Sequence, residues 1–377
     1  MTALLLPLPV APATRPTLTV DLDAVSANVR TLRSATTARL MAVVKADGFG
    51  AGAADVARTA LAAGADALGV TSLDEALALR RSGVHARVLS WLNALDVDAT
   101  AAWTHGVELA VGSVELLEQV RRARTGGPVR VHLQLDCGLA RDGAQPTAWL
   151  RLCRAAARAE RRGEVRVVGV MGHLPRADEP AANADARARF TWGVRVAVGC
   201  GLRPVDRHLA ATAATLTDPL SHHTMVRCGA GLVGIDPSGT TTLRSPFTLS
   251  APLVHVREVA PGTPVGYGHT WRAPTWTRLG LVPVGYADGL PRNASGRASV
   301  SVAGRRVPVV GRISMDQLVV DLGDLPVGPG TAVTVLGPGG SGESTVADWA
   351  AWSGVLPHEV VTGFGARLRR ATTGGES

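Results

Sequence analysis

The chain has 377 residues, of which 46% are hydrophobic, and its formal net charge at neutral pH is +8. This length predicts two domains, or one large barrel with an appendage, and the apolar content is ample for their cores. No apolar run is long enough to cross a membrane, and no aromatic residues are interleaved with the most basic stretch, residues 158–166, so neither a membrane nor nucleic acid is an expected partner.

The first half of the chain predicts a barrel. Residues 1–14 are apolar, contain prolines and lack a basic start, which predicts a loose tail rather than a signal peptide. From residue 15 to residue 243, short apolar runs alternate with helical patterns, which predicts a parallel sheet and, with this many units, a (β/α)8 TIM barrel. A doubly wound sheet is the alternative, but no Gly-x-Gly-x-x-Gly fingerprint follows the first strand. The predicted strands are 18–22, 40–44, 67–70, 88–91, 109–111, 129–135, 167–171, 207–210 and 225–227.

The sequence pattern changes after residue 243. Runs rich in Val and Leu are separated by Pro-Gly and Gly-rich turns, which predicts a β-rich C-terminal domain over residues 244–377 with one helix at 344–353. Its predicted strands are 249–259, 277–284, 298–310, 317–322 and 332–336.

The cysteines do not indicate a metal site. Their spacing matches no metal-ligand pattern, so we expect reduced thiols in a cytoplasmic protein, and no metal. The four are Cys137, Cys153, Cys200 and Cys228.

Lys45 is the only lysine among the 39 basic residues, the other 38 being arginine. It follows the apolar run 40–44 and precedes three closely spaced glycines. A nucleophilic amine that forms a Schiff base with a carbonyl is a chemistry that arginine cannot supply. A leftover lysine without a role is the alternative, but the end of a buried strand fits it poorly.

The chain also has only two tyrosines, Tyr267 and Tyr286. Each lies between glycines or small residues, where the backbone can be approached closely. Packing at a barrel corner would explain them individually. Together with the single lysine they suggest a pair of groups for proton transfer.

Polar residues follow several predicted barrel strands, where the chemistry of such barrels is located. Phosphate sites in barrels use backbone N–H groups after the last two strands, and Thr212 and Gly229 are placed for this. A phosphorylated aldehyde cofactor that pairs with a lysine is pyridoxal 5'-phosphate. Each residue alone has an ordinary structural explanation, and only their joint placement favours a site. The residues are Lys45, Arg141, His173, Thr212 and Arg227.

At this point the chain resembles the bacterial alanine racemases, pyridoxal-phosphate enzymes with a barrel followed by a β-domain. The resemblance extends from about residue 15 to residue 370, and its last three motifs are the most specific. The motifs occupy residues 42–50 (AVVKADGFG), 136–143 (DCGLARDG), 225–229 (MVRCG), 266–271 (GYGHTW), 283–292 (PVGYADGLPR) and 311–317 (GRISMDQ).

The resemblance implies a homodimer with shared active sites and a role for each matching residue. Lys45 would hold the cofactor and act as one catalytic base, and Tyr267 would act as the other base in the site of the partner. Arg227 would face the pyridine nitrogen, and His173 would belong to the network that joins Tyr267 and Arg227. Thr212 and Gly229 would hold the phosphate. Arg141 would bind the substrate carboxylate together with Met315 and Asp316 from across the dimer, and Tyr286 would line the entrance.

The chain departs from the family pattern mainly around the phosphate. Phe49 and His358 stand where tyrosines are usual, and His358 would take over a cofactor contact. The other departures are Gln134 for a lysine reported as carbamylated, Asp47 for Asn, Ala211 for Asn, Thr212 for Ser and Val233 for Tyr.

Several functions therefore stay open. A small amino acid is the expected substrate, and the leading prediction is a racemase, an isomerase, that interconverts L- and D-alanine with a Lys/Tyr pair of bases. The alternatives are a racemase for another amino acid, a pyridoxal-dependent decarboxylase of the same barrel type, and an inactive cofactor-binding homologue.

Overall fold

The computed structural model describes residues 15–123, 125–177 and 179–375. They form two compact units, residues 22–244 and residues 15–21 together with 245–375. The tail predicted at residues 1–14 lies outside the described residues.

Residues 22–244 fold as a closed barrel of eight parallel strands, which confirms the predicted fold class. The strands are almost entirely buried on both faces, as expected when helices cover a parallel sheet. Pairing of Arg39 with Met225 closes the ring. Numbered from β2 because β1 (Thr17–Asp21) lies in the other unit, the strands are β2 (Arg39–Val43), β3 (Ala67–Val70), β4 (Val88–Ser90), β5 (Val107–Val111), β6 (Val129–Gln134), β7 (Val165–Met171), β8 (Asp206–His208) and β9 (Met225–Cys228).

The helices of this unit connect successive strands. Ser72 makes a capping box with Glu75 at the start of one of them, as the Ser-x-x-Glu spacing favours. The helices are α1 (Leu22–Ser34), α2 (Ala53–Ala62), α3 (Leu73–Arg81), α4 (Ala99–Thr104), α5 (Val114–Arg121), α6 (Pro146–Arg161), α7 (Ala184–Gly199) and α8 (Thr212–Thr217).

The first predicted strand does not belong to the barrel, although we expected the barrel domain to begin at residue 15. β1 pairs instead with β10 (Phe247–Pro252), antiparallel, and with β19 (Arg369–Thr373), parallel. Its side chains alternate between buried and half-buried. Such alternation is typical of a strand with one covered face, whereas barrel strands are buried on both faces.

Residues 15–21 and 245–375 contain a nine-stranded sheet and a small hairpin, which confirms the predicted β-rich fold of the C-terminal region. The order in the sheet is β11-β14-β17-β16-β15-β18-β10-β1-β19. The remaining elements are β11 (His255–Val259), β12 (Pro264–Val265), β13 (Trp271–Arg272), β14 (Thr277–Val282), β15 (Ser299–Val302), β16 (Arg305–Val310), β17 (Leu318–Gly323), β18 (Ala332–Leu336), α9 (Val346–Ser353) and α10 (Pro357–Thr362).

Two strand predictions in this unit were wrong because each merged two strands. Residues 298–310 form the hairpin β15–β16, in which Ala303 and Gly304 have φ values of 49° and 76°. A two-residue turn with positive φ at both positions matches the twist of the flanking strands, but Ala is a weak sequence signal for it. Residues 249–259 likewise divide into β10 and β11.

Candidate active site

Lys45 lies two residues beyond β2, at the carboxyl end of the barrel strands, and is half-buried. Burial lowers the pKa of its amine, the positive charge of Arg141 lowers that pKa further, and the negative charge of Glu75 opposes both effects. A lower pKa enlarges the neutral fraction of the amine at neutral pH. The neutral amine is the form that attacks a carbonyl or accepts a proton.

The residues from Lys45 to Phe49 form a left-handed turn. Ala46, Asp47 and Phe49 have φ values of 52°, 53° and 57°, a conformation that costs residues with a Cβ roughly 1–2 kcal/mol each. Asp47 offsets part of this strain, because its Oδ1 accepts a hydrogen bond of 2.8 Å from the N–H of Ala53 at the start of α2. Strained backbone of this kind is concentrated at functional sites.

Arg227 is buried in β9, where it donates hydrogen bonds to several groups of the barrel. Its Nη1 donates to the carbonyl of His208 at 2.8 Å and to Nδ1 of the same residue at 3.1 Å. Its Nη2 donates to the carbonyl of Gly172 at 2.7 Å and to Nδ1 of His173 at 3.2 Å. Burial lowers the pKa of Arg227 to about 10, so the guanidinium stays charged at neutral pH.

His173 is therefore neutral and has a defined tautomer. Burial and the charge of Arg227 lower the pKa of His173 to about 3. Because an arginine can only donate, Nδ1 of His173 is the acceptor and its single proton lies on Nε2. The structure thus places His173 against Arg227.

A chain of buried hydrogen bonds runs from Arg227 into the barrel. Nδ1 of His208 accepts from Arg227, so its Nε2–H donates to Nδ1 of His132 at 2.9 Å. Nε2–H of His132 in turn donates to Oε2 of Glu108 at 2.8 Å. The hydrogen bond to its neighbour fixes the tautomer of each imidazole, so this series of hydrogen bonds orients the Arg227 guanidinium.

Glu108 ends that chain and also binds two arginines at the amino end of the barrel strands. Arg87 and Arg130 lie 2.8 Å and 2.7 Å from its carboxylate. Burial by itself would raise the pKa of Glu108, but hydrogen bonds from His132 and Arg87 outweigh burial and lower this pKa to about 2. The carboxylate is therefore charged across the physiological range.

Replacement of Glu108 by Gln should destabilise the barrel by roughly 1–3 kcal/mol, because a neutral amide cannot accept hydrogen bonds from both His132 and Arg87 as the carboxylate does. The depressed pKa contributes stability that is present above the ordinary glutamate pKa and is lost as pH falls towards 2. Urea unfolding at pH 7 and pH 3 measures both effects. Glu115→Gln, at an exposed glutamate of α5, is the control. Equal unfolding midpoints for the two variants would contradict the prediction.

Thr212 and Gly229 meet at the ends of β8 and β9. The hydroxyl oxygen of buried Thr212 accepts hydrogen bonds of 3.3 Å from the N–H groups of Gly229 and Gly231. A Cβ at Gly229 would lie 2.7 Å from two ring atoms of Phe49, so the close approach requires glycine. Backbone N–H groups at this position in a barrel are suited to hold a phosphate.

Arg141 lies on an exposed loop after β6. Asp136 shapes this loop, because its Oδ1 accepts from the N–H groups of Gly138 and Leu139 at 2.8 and 3.0 Å. The charge of Arg141 lowers the pKa of both Lys45 and His173. Gln134 is buried at the end of β6, where its carbonyl accepts from the N–H of Ala144 at 2.8 Å.

In the β-rich unit, taken by itself, the segment that begins at Tyr286 pairs with Ser314 and Met315. The N–H groups of Tyr286 and Ala287 donate to the carbonyl oxygens of Ser314 and Met315 at 3.1 and 2.9 Å. A Cβ at Gly285 would lie 2.3 Å from both oxygens, so this contact also requires glycine.

The other predicted residues of this unit are largely exposed. Tyr267, between β12 and β13, is 72% exposed, and Met315 is 52% exposed. Asp316 forms a 2.6 Å ion pair with Arg367. His358 is half-buried in α10, where its carbonyl accepts from the hydroxyl of Thr362 at 2.7 Å. Backbone hydrogen bonds thus bring Tyr286 close to Met315, which Asp316 follows directly in the sequence.

Four polar residues of the barrel were missed from the sequence. His132 and Glu108 lie within mostly apolar strands, and His208 ends the short polar strand β8, so no motif marked them. Glu75 carried a signal, the Ser-x-x-Glu capping pattern, but that pattern indicates only a helix start.

The described residues give no support to a membrane span or a metal site. Across the described ranges, no helix is long and apolar enough to span a membrane, and no three His, Cys, Asp or Glu side chains are grouped to hold a metal ion.

Comparison with known proteins agrees with these observations. Residues 20–237 match the model of the alanine racemase N-terminal domain, and residues 246–372 match that of the alanine racemase C-terminal domain. The chain is 44% identical to the alanine racemase of Salinispora tropica, over 92% of this chain and 95% of that protein, and 43% identical to that of Thermobifida fusca, over 94% and 97%.

Solved structures are similar over the same extent. An alanine racemase from D-cycloserine-producing Streptomyces lavendulae superposes with a TM-score of 0.94 at 40% identity, over 97% of this chain and 98% of that chain. One from Streptomyces coelicolor gives a TM-score of 0.93 at 42% identity, over 96% and 98%.

Proposed function

The chain belongs to the alanine racemase family, and from that premise we propose how its own residues interconvert L- and D-alanine with pyridoxal 5'-phosphate. The observation that carries the proposal is the only lysine of the chain, at a strand end of the barrel, with the pKa of its amine lowered by burial and by Arg141.

The residues of the barrel unit fit this cofactor. Lys45 supplies an amine for the aldehyde, and the Thr212 hydroxyl would hold the phosphate together with the N–H groups of Gly229 and Gly231, which donate to its oxygen in this structure. Arg227 supplies a fixed cation for the pyridine nitrogen. When bound, the cofactor supplies an electron sink that makes the Cα–H of an attached amino acid acidic.

Racemisation needs one base on each face of Cα. Lys45 serves one face as a neutral amine, a form favoured by its lowered pKa. Tyr267 serves the other face, and each base contributes about 10²–10⁴-fold. Arg227 stays protonated at neutral pH and holds its protons, so it would leave the ring nitrogen unprotonated and favour simple proton return over side reactions.

We assign substrate binding to Arg141, whose guanidinium is suited to a carboxylate. Met315 and Asp316 would complete that contact from the other protomer of a homodimer, and Tyr286 would line the entrance. The exposure of Tyr267 and Met315 supports this assembly, because large side chains that are 72% and 52% exposed are suited to a protein interface.

The function is tested by incubating the holoenzyme with L-alanine in deuterated water. We expect D-alanine to appear with deuterium at Cα. Release of carbon dioxide would instead indicate a decarboxylase, and no reaction across a panel of amino acids would indicate an inactive homologue. Faster turnover of another amino acid would indicate a specialised racemase.

Gly229→Ala should weaken binding of the cofactor by about 5- to 160-fold, because its methyl group would lie 2.7 Å from the Phe49 ring and overpacking costs about 1–3 kcal/mol. Cofactor titration of the apoprotein measures the effect. Gly199→Ala is the control, since a Cβ there meets nothing within 4 Å. Equal affinities would show that the Gly229 turn does not hold the phosphate.

A further inference from the structure

Glu75 makes contacts that a helix cap does not need. Its Oε2 accepts from the N–H groups of Ser72 at 3.4 Å and Thr71 at 2.7 Å, and its own N–H donates to the Ser72 hydroxyl at 3.2 Å. These contacts complete the capping box of α3. Its Oε1 reaches away from the helix and accepts from the N–H of Ala46 at 2.7 Å.

Ala46 is the first residue of the strained turn that follows Lys45. Its φ of 52° is costly for alanine, and its side chain is exposed, so packing does not hold it in this conformation. Two carboxylates hold the turn instead. Glu75 binds its beginning at Ala46, and Asp47 ties it to Ala53.

The same carboxylate acts on the Lys45 amine through its charge. Among the groups that face Lys45, Arg141 disfavours the ammonium form and Glu75 favours it. His173 faces the same region but is neutral at ordinary pH. Asp47, in the turn itself, is exposed. Glu75 is therefore the carboxylate that counters Arg141.

We propose that Glu75 is a positioning residue for Lys45: its carboxylate fixes the start of the left-handed turn, and its charge counters that of Arg141 at the amine. This rests on the proposed role of Lys45 as the cofactor-binding amine. The carboxylate thus couples the α3 capping box to the geometry and protonation of the reactive amine.

The test uses the single lysine. The full chain, freed of cofactor, is acylated with trace acetic anhydride at a series of pH values, and the Lys45 peptide is quantified by mass spectrometry. Glu75→Gln should move the midpoint of this titration to lower pH, since the opposing charge of Arg141 then acts unchecked. Asp74→Asn removes the same charge from the neighbouring, exposed position of α3 and should leave the midpoint at its wild-type value.

A coincident titration for Glu75→Gln and wild type would overturn the proposal. Hydrogen exchange of the unsubstituted chain tests the hydrogen bond from Ala46 to Glu75 without any variant that must fold. The amide of Ala46 should exchange roughly tenfold or more slowly than in an unstructured peptide, because it is hydrogen-bonded. Exchange at the unstructured rate would equally overturn the proposal.

Borohydride reduction separates this proposal from the proposed function. If the chain retains no cofactor on Lys45 while Glu75→Gln still shifts the titration, the cofactor assignment fails and the positioning role stands. If cofactor is fixed on Lys45 but the titrations coincide, only the positioning role fails.

Discussion

Lys45→Ala is expected to abolish both cofactor attachment and racemisation, with a loss of activity of about 10⁴-fold or more. The variant lacks the amine that binds the aldehyde and the base on one face of Cα, and a base alone contributes about 10²–10⁴-fold. No second lysine can substitute, because Lys45 is the only one in the chain. Absorbance of the attached cofactor and the rate of alanine racemisation measure the two losses.

Lys45→Arg is the matched control for charge. It keeps a cation at the strand end but cannot bind the aldehyde, so it should be as inactive as Lys45→Ala. In the wild-type holoenzyme, borohydride should fix the cofactor on the Lys45 peptide alone. A full-strength absorbance band in either variant would remove the basis of the assignment.

Tyr267→Phe should lower racemisation by about 10²–10⁴-fold while leaving cofactor attachment intact, since it removes only the second base. A more specific effect is expected in deuterated water. Lys45 can still remove and return a proton on its own face, so one enantiomer of alanine should exchange its Cα–H without inversion, and the other should not. Tyr286→Phe, at the only other tyrosine, should lose less racemisation activity than Tyr267→Phe. Exchange of both enantiomers at wild-type rates would exclude Tyr267 as a base.

The two variants together test the shared site. If Lys45 and Tyr267 of one site come from different protomers, a hybrid of Lys45→Ala and Tyr267→Phe chains has one site with both bases intact. Free subunit exchange makes half of the dimers hybrid, so the mixture should recover about a quarter of wild-type activity. A mixture that exchanges subunits but stays inactive would place both bases in one chain.

The sequence by itself determined the fold class and indicated a candidate for the reactive amine. Strand–helix repetition predicted the barrel, because strands that are covered by helices outside and by packed side chains inside are mostly apolar on both faces. The single lysine at a strand end indicated the candidate for the reactive amine, since covalent pairing with an aldehyde is a property of residue type and needs no partner to be known. The motifs around residues 267, 286 and 316 then narrowed the resemblance to one family.

Only the tertiary structure decided which sheet β1 joins and what surrounds the reactive groups. β1 and β19 are paired although the rest of the described chain separates them, and such a pairing has no local signal. The series of hydrogen bonds from Arg227 through His208 and His132 to Glu108 has no local sequence signal either. These residues lie on four strands and become neighbours only when the barrel closes, so their tautomers and the low pKa of Glu108 are properties of the fold.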